Sequence, residues 1–381
     1  MKILVIGSGL MGRAIAHDLC KHSNFGNVAI ADKDDETLRS AKKFLEGNNI
    51  DFASLNVEDT NEVKKHFQNI DIAISAIPYK FNYDLARIAI ETKTHFLDLG
   101  GNSGIVEKER NLFEQARKQD VTIIPDCGLA PGLVSTITRD IVERMDSVDY
   151  VKLRVGGLPV DPKPPLDYQI VFSPNGLINE YTEDAMVLDH GQIIEKKSMT
   201  DIETIQFSEP FKEMEAFLTS GGCSTLPYTY KDKIDYLDYK TIRYPGHCEK
   251  FKILLDIGLG GEKVIRIGEQ EIVPRKILID LLMKNLPTAG RDVVLLKVLS
   301  EGLKDGKKIR LEYTLIDYYD EKNGITAMMR TTGYPVSIIA QMIENGTINQ
   351  KGVFCPEEIV PPGPFFEELE KRGIQIKREM K

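Results

Sequence analysis

The sequence predicts a doubly wound α/β fold with a parallel sheet, followed by a second domain built on a mixed sheet. Two observations predict the first part. Short apolar runs alternate with helical stretches over the first 125 residues, which is typical of parallel strands joined by right-handed helical crossovers. The first of these runs leads into Gly7-x-Gly9-x-x-Gly12, and Asp32 follows twenty residues later. With 381 residues, the chain is also long enough for two domains.

The glycine motif has the full context of a dinucleotide-binding, Rossmann-type fingerprint. It follows an apolar strand over residues 3–6 and opens a helix predicted over 13–21. The three glycines permit a tight turn, close approach of a pyrophosphate and close packing of the helix on the strand. The alternative is an ordinary strand–turn–helix unit without a ligand. We expect the phosphates at the helix N-terminus, held by Gly7, Gly9, Leu10, Met11 and Gly12.

Asp32 indicates which dinucleotide is bound. It ends the second predicted strand, Val28–Ala31. A carboxylate at this place accepts hydrogen bonds from the ribose hydroxyls of NAD and repels the 2′-phosphate of NADP. Lys33 partly offsets that repulsion. We therefore predict NAD as the cofactor, bound in part by Asp32 and Lys33.

Composition and charge argue against several classes of protein. The net charge is −9 and no basic patch stands out, which argues against a nucleic-acid partner. No apolar run is long enough to span a bilayer. The sequence enters a strand at once, without a charged n-region and an apolar h-region, so we expect no signal peptide. The five cysteines and six histidines are scattered, which argues against a disulfide framework and predicts no metal site. We expect a cytoplasmic protein with a small-molecule substrate, assembled as a homodimer or higher homo-oligomer.

Hydrophobic periodicity predicts the remaining elements in order. In the first domain, the further strands are Asp51–Leu55, Asp71–Ala76, His95–Leu99 and Val121–Ile124, and two helices are Asn82–Glu91 and Lys108–Lys118. The pattern changes after Pro131-Gly132, with a helix to about residue 143, a strand at Tyr150–Val155 and a proline-rich loop at Gly156–Pro165. Beyond it we predict strands at Lys252–Leu259 and Ile309–Tyr319, and helices at Pro274–Lys284, Asp292–Leu299 and Ser337–Asn345.

Three predicted strand ends are candidates for the site, because open parallel sheets bind ligands beyond the carboxyl ends of their strands. Tyr79, in Ala76-Ile77-Pro78-Tyr79, would face the nicotinamide or the substrate, and Asp98 is a candidate general base. In Pro125–Gly132, the backbone of Gly128 and Leu129 would press against the nicotinamide. The alternatives are a packed aromatic at a turn for Tyr79 and a capping role for Asp98. We expect Cys127 to be an inert, packed thiol.

A second polar group lies in the later part of the chain. The segment Thr241–His247 joins Arg243, a phenol and His247. Arginine is the preferred partner of a carboxylate, although Arg243 alone is more simply a solvated residue on a strand edge. Glu215 and the hydroxyl of Thr225 lie nearby in sequence. Together these residues predict a pocket for an amino acid.

With these motifs, the chain resembles the saccharopine dehydrogenase superfamily over nearly its whole length, and within it the lysine 6-dehydrogenase branch. The matching segments are Gly7–Gly12, Ile77–Tyr79, Asp98–Gly101, Pro125–Gly132, Gly156–Pro159, Phe172–Gly176, Glu215–Phe217, Ser220–Leu226 and Thr241–His247. The resemblance implies a Rossmann domain over 1–131, an inserted α+β substrate and oligomerisation domain over 132–330, and a segment over 331–381 that returns to the first domain. Saccharopine reductases carry an acid in a GLDPG-type turn with an Asp-His pair after it. Here Ala130 takes the place of the acid and the pair is missing, which favours the lysine-oxidising branch.

The resemblance thus implies NAD-dependent oxidative deamination of L-lysine at its ε-carbon, giving the 6-semialdehyde, ammonia and NADH. The ε-amine must lose a proton before hydride leaves, so the enzyme needs a base, with Asp98 and His247 as candidates. Arg243 would hold the α-carboxylate and Glu215 the α-ammonium, while Tyr79 and Tyr168 wall the pocket. Two alternatives stay open. One is a related dehydrogenase of a secondary amine such as saccharopine or carboxynorspermidine, and the other is a non-catalytic NAD-binding regulatory protein.

Overall fold

The computed structural model describes residues 1–381, which form two compact units. The first unit comprises Met1–Glu143, Ser224–Thr229 and Met329–Ile374; the second comprises Arg144–Cys223, Tyr230–Met328 and Gln375–Lys381. The helix Leu133–Arg144, which follows the Gly128–Gly132 turn, therefore lies almost entirely in the first unit. The sequence placed the boundary before this helix, at residue 131. A short piece at 224–229 also belongs to the first unit, and no sequence pattern indicated this.

The N-terminal part of the chain alternates strands and helices. Its elements are β1 Lys2–Ile6, α1 Leu10–His22, β2 Asn27–Asp32, α2 Asp35–Phe44, β3 Asp51–Ser54, α3 Thr60–Phe67, β4 Ile72–Ser75, a 3₁₀ turn Tyr79–Phe81, α4 Asn82–Thr92, β5 His95–Asp98, α5 Ser103–Arg110, α6 Phe113–Lys118, β6 Thr122–Ile124 and α7 Leu133–Arg144. The helix predicted over Lys108–Lys118 is thus divided between α5 and α6. Asp34, Asp59 and Asn102 cap α2, α3 and α5, each by accepting backbone N–H groups of the first turn.

The rest of the chain is richer in strands. Its middle elements are β7 Ser147–Pro159, α8 Pro174–Thr182, β8 Ala185–Asp189, β9 Gln192–Lys196, β10 Glu203–Gln206, β11 Glu213–Leu218, α9 Leu226–Tyr230, β12 Ile234–Arg243, α10 His247–Asp256, β13 Ile265–Ile267, β14 Gln270–Ile272, α11 Pro274–Asn285, β15 Asp292–Lys304 and β16 Lys307–Tyr318. The last elements are α12 Ala327–Glu344, β17 Gly352–Val353, α13 Pro356–Ile359, α14 Pro362–Lys371 and β18 Lys377–Met380.

Seven parallel strands form the sheet of the first unit, in the order β17-β6-β5-β4-β1-β2-β3. This confirms the predicted doubly wound sheet. The order reverses between β1 and β4, and the carboxyl ends of those two strands flank the crevice in which such sheets bind ligands. Ile3–Ile6 are at most 2% exposed, as expected for a strand covered on both faces.

A buried ion pair fastens the C-terminal segment to the first helix. Asp18 on α1 accepts hydrogen bonds from Arg372 Nε at 2.7 Å and from Ser337 Oγ at 2.6 Å. Both charged side chains are at most 1% exposed. Arg372 also donates to the carbonyl and the carboxylate of Glu368, at 2.8 and 2.6 Å. These bonds join α1, α12 and α14, while β17 pairs with β6.

The second unit is built on a mixed, nine-stranded sheet. The order is β10-β11-β12-β7-β15-β16-β18, with β8 and β9 attached at β12. β7 and β12 are parallel, and the other neighbours along this path are antiparallel. This confirms the mixed sheet that the sequence predicted. A separate hairpin is formed by β13 and β14.

Two predicted elements are wrong. Lys252–Leu259, predicted as a strand, lies mostly in helix α10. The N-terminus of α10 is capped by Glu215 from β11, a contact that the local sequence does not reveal. Asp292–Leu299, predicted as a helix, is part of strand β15, which pairs with β7 on one side and β16 on the other. Because a central strand is buried on both faces, its apolar run does not alternate and is easily mistaken for a buried helix.

No helix is both long and apolar enough to cross a membrane. No group of three or more His, Cys, Asp or Glu side chains is arranged to hold a metal ion.

Candidate active site

The glycine-rich loop between β1 and α1 has the geometry of a phosphate cradle. Gly7 has a φ of +100°, and a Cβ there would lie 2.7 Å from the Ala76 carbonyl oxygen. A Cβ on Gly12 would lie 1.8 Å from the Gly7 carbonyl oxygen, so this glycine is required for the helix to approach the turn. Gly9 differs, because a Cβ there would meet nothing within 4 Å. The open space at Gly9, beside the first turn of α1 with Leu10 and Met11, fits a dinucleotide pyrophosphate.

Asp32 at the end of β2 fixes this loop. Its Oδ2 accepts hydrogen bonds from the Ser8 N–H at 2.7 Å and the Ser8 hydroxyl at 3.0 Å, and its Oδ1 accepts from the Asp34 N–H at 3.1 Å. Arg13 Nε donates to the Ser8 carbonyl at 2.8 Å. Lys33 lies 3.7 Å from Glu58, and both side chains are mostly exposed. Asp32 therefore joins the phosphate loop to the strand end at which a ribose is expected.

The other strand ends bring Tyr79 to the same edge of the sheet. Ile77 and Pro78 follow β4, and a Cβ on Gly101 would lie 3.1 Å from the ring of Tyr79, so the partly exposed ring rests on the turn after β5. Gly128 forms a bridge with Gly132 in the turn after β6, close to the carbonyl of Leu99. Leu129 is buried beside it.

A cluster of buried carboxyl groups lies behind these turns. Asp98 ends β5, and its Oδ1 accepts the Gly100 N–H at 2.7 Å. Glu109 of α5 interacts electrostatically with Asp98, and Asp98 Oδ2 and both carboxyl oxygens of Glu109 have no hydrogen-bond partner. Burial raises the pKa of both carboxyls, and the charge of Asp98 raises the pKa of Glu109 further. Asp98 is fully enclosed.

Two further acids of the cluster are bound by hydroxyls of the short segment 224–229. Ser224 Oγ donates to Asp126 Oδ2 at 2.5 Å. Thr225 and Thr229 both donate to Glu357 Oε1, at 2.6 and 3.0 Å. Thr225 was predicted to bind substrate; its hydroxyl hydrogen is instead used within the protein. Four residues of this cluster were not predicted from the sequence, because they converge from distant segments: Glu109, Asp126, Ser224 and Glu357.

In the second unit, Arg243 is held in an aromatic pocket. Its side chain is nearly buried, and its guanidinium lies 4.8 Å from the ring centre of Tyr168 and 5.8 Å from that of Tyr181. Nε donates to Tyr181 Oη at 2.8 Å and Nη1 to the Ile242 carbonyl at 2.9 Å, while Nη2 has no hydrogen-bond partner within the protein. The guanidinium therefore keeps donors for a ligand.

Glu180 is the second charged group of this pocket. Its partly exposed carboxylate has no hydrogen bond or ion pair within the protein, and it interacts electrostatically with Arg243. Burial raises the pKa of Glu180 to about 7, and the charge of Arg243 opposes the rise. Glu180 was not among the site residues predicted from the sequence. Its place directly before Tyr181 in α8 is the only local signal that could have suggested it.

His247 orients this pocket. Its Nδ1 donates to the Leu166 carbonyl at 2.9 Å, so Nε2 accepts the hydrogen bond from Tyr181 Oη at 3.1 Å. Burial, aided by the charge of Arg243, lowers the pKa of His247 to about 3. The ring therefore stays neutral with both nitrogens engaged. This arrangement supports a role in positioning Tyr181 and Arg243 and gives no support to the predicted role as base.

The carboxylate of Glu215 is occupied by backbone N–H groups of the protein. Its two carboxylate oxygens accept the backbone N–H groups of Gly246 at 2.7 Å and Cys248 at 2.6 Å. The carboxylate thus caps α10 and favours it electrostatically. The predicted contact of Glu215 with a substrate ammonium therefore finds no support, whereas Glu180 is available for one.

Comparison with known families identifies the chain. The model described as "Saccharopine dehydrogenase NADP binding domain" matches residues 3–124, and that described as "Saccharopine dehydrogenase C-terminal domain" matches residues 128–374. The chain belongs to the saccharopine dehydrogenase family. This confirms the resemblance to the saccharopine dehydrogenase superfamily.

Relatives within the family match almost the whole chain at low identity. Saccharopine dehydrogenase [NADP(+), L-glutamate-forming] of Saccharomyces cerevisiae is 24% identical, with 99% of this chain and 98% of that protein covered. The mitochondrial alpha-aminoadipic semialdehyde synthase of Mus musculus is 22% identical, with 98% of this chain covering 47% of that protein.

Solved structures show the same fold. The apo histidine-tagged saccharopine dehydrogenase (L-Glu forming) from Saccharomyces cerevisiae has a TM-score of 0.80 at 23% identity, covering 100% of this chain and 99% of that one. Homospermidine synthase from Legionella pneumophila has a TM-score of 0.60 at 12% identity, covering 100% and 91%. This member of the saccharopine dehydrogenase family is therefore an oxidoreductase with a nucleotide-binding domain of the Rossmann type.

Proposed function

We propose that this family member oxidises the ε-amine-bearing carbon of L-lysine with NAD, releasing ammonia and the 6-semialdehyde. The observation that carries the proposal is that Arg243 and Glu180 lie near each other in the second unit without forming an ion pair. Arg243 offers unused guanidinium donors, and Glu180 offers an unpaired carboxylate. One cation and one anion suit the α-carboxylate and α-ammonium of a single amino acid.

The charge of the pocket favours lysine over saccharopine. Saccharopine carries three carboxylates, which call for several cations. Arg154, the other fully buried arginine of the unit, donates to both oxygens of Asp238 at 2.8 and 3.0 Å. His247 is neutral, and Glu180 would repel a second substrate carboxylate. Ala130, in place of the acid of the reductase turn, agrees with this assignment.

The loop after β1 supports a dinucleotide cofactor. When bound, a nicotinamide cofactor accepts a hydride from the amine-bearing carbon. The open space at Gly9 would take the pyrophosphate, and Asp32 would accept the ribose hydroxyls. Asp32 disfavours a 2′-phosphate, and Lys33 is already within 3.7 Å of Glu58, so we propose NAD in preference to NADP.

A second candidate is a saccharopine dehydrogenase that uses NADP. It is favoured by the names of the relatives, which specify saccharopine and NADP(+). At identities of 23–24%, those names indicate the chemistry of the family better than the exact substrate.

The test is a panel of substrates with each cofactor. Reduced cofactor is followed by absorbance with L-lysine, saccharopine, cadaverine and other amino acids, each with NAD and with NADP. We expect the highest kcat/KM for L-lysine with NAD, together with release of ammonia. Cadaverine, which lacks the carboxylate, should be a poor substrate. A higher kcat/KM for saccharopine with NADP would refute the proposal in favour of the second candidate.

A further inference from the structure

Asp126 and Ser224 form an unusual pair within the first unit. Ser224 Oγ donates to Asp126 Oδ2 at 2.5 Å across 98 residues of sequence. Both residues have left-handed backbone, with φ of +63° at Asp126 and +40° at Ser224. Non-glycine residues rarely adopt this conformation, and when held there by their surroundings they are concentrated at functional sites.

The fold also makes room for the acid. A Cβ on Gly100 would lie 1.9 Å from Asp126 Oδ1, so the carboxyl occupies the space that a side chain would fill. Asp126 is 1% exposed, and Oδ1 has no hydrogen-bond partner. A buried carboxyl oxygen with no donor is costly when the group is ionised.

The groups that face Asp126 come from several elements, and three of the six are carboxyl groups. They are Asp98 at the end of β5, Glu109 and Arg110 of α5, its neighbour Cys127, and Cys355 and Glu357 at α13. Arg110 is the one cation among them, and it donates to both carboxylate oxygens of Glu358 at 3.1 Å. Burial raises the pKa of Asp126 to about 8; the Ser224 hydrogen bond opposes the rise, and the charges of Asp98 and Glu357 add to it.

We propose that Ser224 and Asp126 form the proton-transfer pair of the reaction, with Ser224 as the group that meets the substrate amine. The assignment rests on the proposed amine oxidation. Ser224 Oγ takes a proton from the substrate ammonium while its own hydroxyl proton passes to Asp126 Oδ2. One N–H and one O–H bond break, two O–H bonds form, and the nitrogen keeps its electron pair. The net change is an amine with a free lone pair and a protonated Asp126.

Ser224 is suited to this role by its position. It is 6% exposed, and its hydroxyl hydrogen is already directed at Asp126, which leaves oxygen lone pairs to accept a proton. The two bases considered from sequence lack such a path. Asp98 is fully enclosed, and both nitrogens of His247 are engaged.

The first test compares the pH dependence of Ser224 and Asp126 variants. In the unmodified enzyme, kcat/KM should rise with pH through a value near 8, as Asp126 ionises. Ser224→Ala and Asp126→Asn should lower kcat by roughly 10²–10⁴-fold, and Asp126→Asn should lose the rise near this pH. Ser224→Thr, which keeps a hydroxyl, should recover part of the rate. Thr229→Val is the matched control, because it removes a hydroxyl–carboxyl hydrogen bond of the same segment and should keep the rate.

A second readout does not depend on turnover. Infrared difference spectra should contain the carbonyl stretch of a buried protonated carboxyl that disappears as pH rises through about 8 and is missing in Asp126→Asn. Thermal unfolding and cofactor affinity are measured for each variant, so that a folding defect is recognised. Absence of that band from the unmodified protein, or an unchanged rate in folded Ser224→Ala, would overturn the assignment.

The two proposals fail separately. If saccharopine is the substrate, the lysine assignment is wrong, and the Ser224 test is carried out with saccharopine. If lysine is oxidised and folded Ser224→Ala keeps both rate and pH profile, the lysine assignment stands and the proton-transfer pair is wrong.

Discussion

The buried pair Asp18–Arg372 allows a sharp test of how the C-terminal segment stabilises the first unit. Asp18→Ala leaves Arg372 enclosed without the acceptor that lies 2.7 Å from its Nε. It also removes the acceptor of the Ser337 hydroxyl, at 2.6 Å. Glu368 is left as the carboxylate partner of Arg372. The perturbation therefore affects α1, α12 and α14 together.

The expected magnitude follows from burial. Both side chains are at most 1% exposed, and removing one partner of such a pair costs about 3–5 kcal/mol, because the other charge stays buried. For a domain of this size, each kcal/mol lowers Tm by about 2–4 °C, which gives a fall of roughly 6–20 °C. The control is Glu114→Ala, which breaks the Arg117–Glu114 pair. The two side chains of this control pair are 60% and 59% exposed, so the free energy of unfolding should fall by no more than about 1 kcal/mol.

The assay is thermal and urea unfolding of both variants and of Asp18→Ala combined with Arg372→Met. The double variant removes both charges, so it should be less destabilised than the sum of the single changes. If Asp18→Ala shifts the transition no more than Glu114→Ala does, the pair does not hold the C-terminal segment in place, and the reasoning fails.

Three further predictions concern ligands. Arg243→Ala should raise KM for L-lysine about 10- to 150-fold, which corresponds to the loss of one hydrogen bond to a charged group. The KM for cadaverine should not change. An equal rise in KM for both substrates would show that Arg243 does not bind the carboxylate. Arg243→Lys should also be impaired, since lysine lacks the planar fork. Asp32→Ala should weaken NAD binding and reduce the preference for NAD over NADP. Equal kcat/KM values for the two cofactors in the unmodified enzyme would contradict this prediction. Gly12→Ala should lower Tm, because its Cβ would lie 1.8 Å from the Gly7 carbonyl oxygen. Gly9→Ala should keep Tm but weaken dinucleotide binding, measured by calorimetry, because its Cβ would enter the space assigned to the pyrophosphate. Normal dinucleotide binding by folded Gly9→Ala would refute that assignment.

The features that could be predicted from sequence are those encoded within a short window. The glycine motif, the strand before it and Asp32 lie within the first 32 residues, and all are found at the expected places in the sheet. Strand β16 and helix α11 were likewise predicted from their own periodicity. Strand β15 was not, because its apolar run reflects neighbours on both sides that are distant in sequence.

The candidate site was predictable only in part for the same reason. Arg243 was identified as a possible ligand-binding residue from its own segment, but its spare donors depend on Tyr181, 62 residues away. The pairing of Asp126 with Ser224 spans 98 residues and has no local signature. Glu215 illustrates the opposite error, since a carboxylate near Arg243 in the sheet register is engaged in capping a helix.

The return of the C-terminal segment affects the order in which the chain can fold during synthesis. The first 143 residues contain six of the seven strands of their sheet, but β17 and the partner of Asp18 lie beyond residue 350. Residues 144–328 come first, and at ordinary ribosomal rates they take roughly 10–40 s to make. During that interval the edge of β6 is unpaired and Asp18 lacks Arg372, so we expect the nascent first 143 residues to be prone to edge-to-edge association. A chain truncated before residue 329 would permanently lack both β17, which covers the edge of β6, and Arg372, the partner of Asp18.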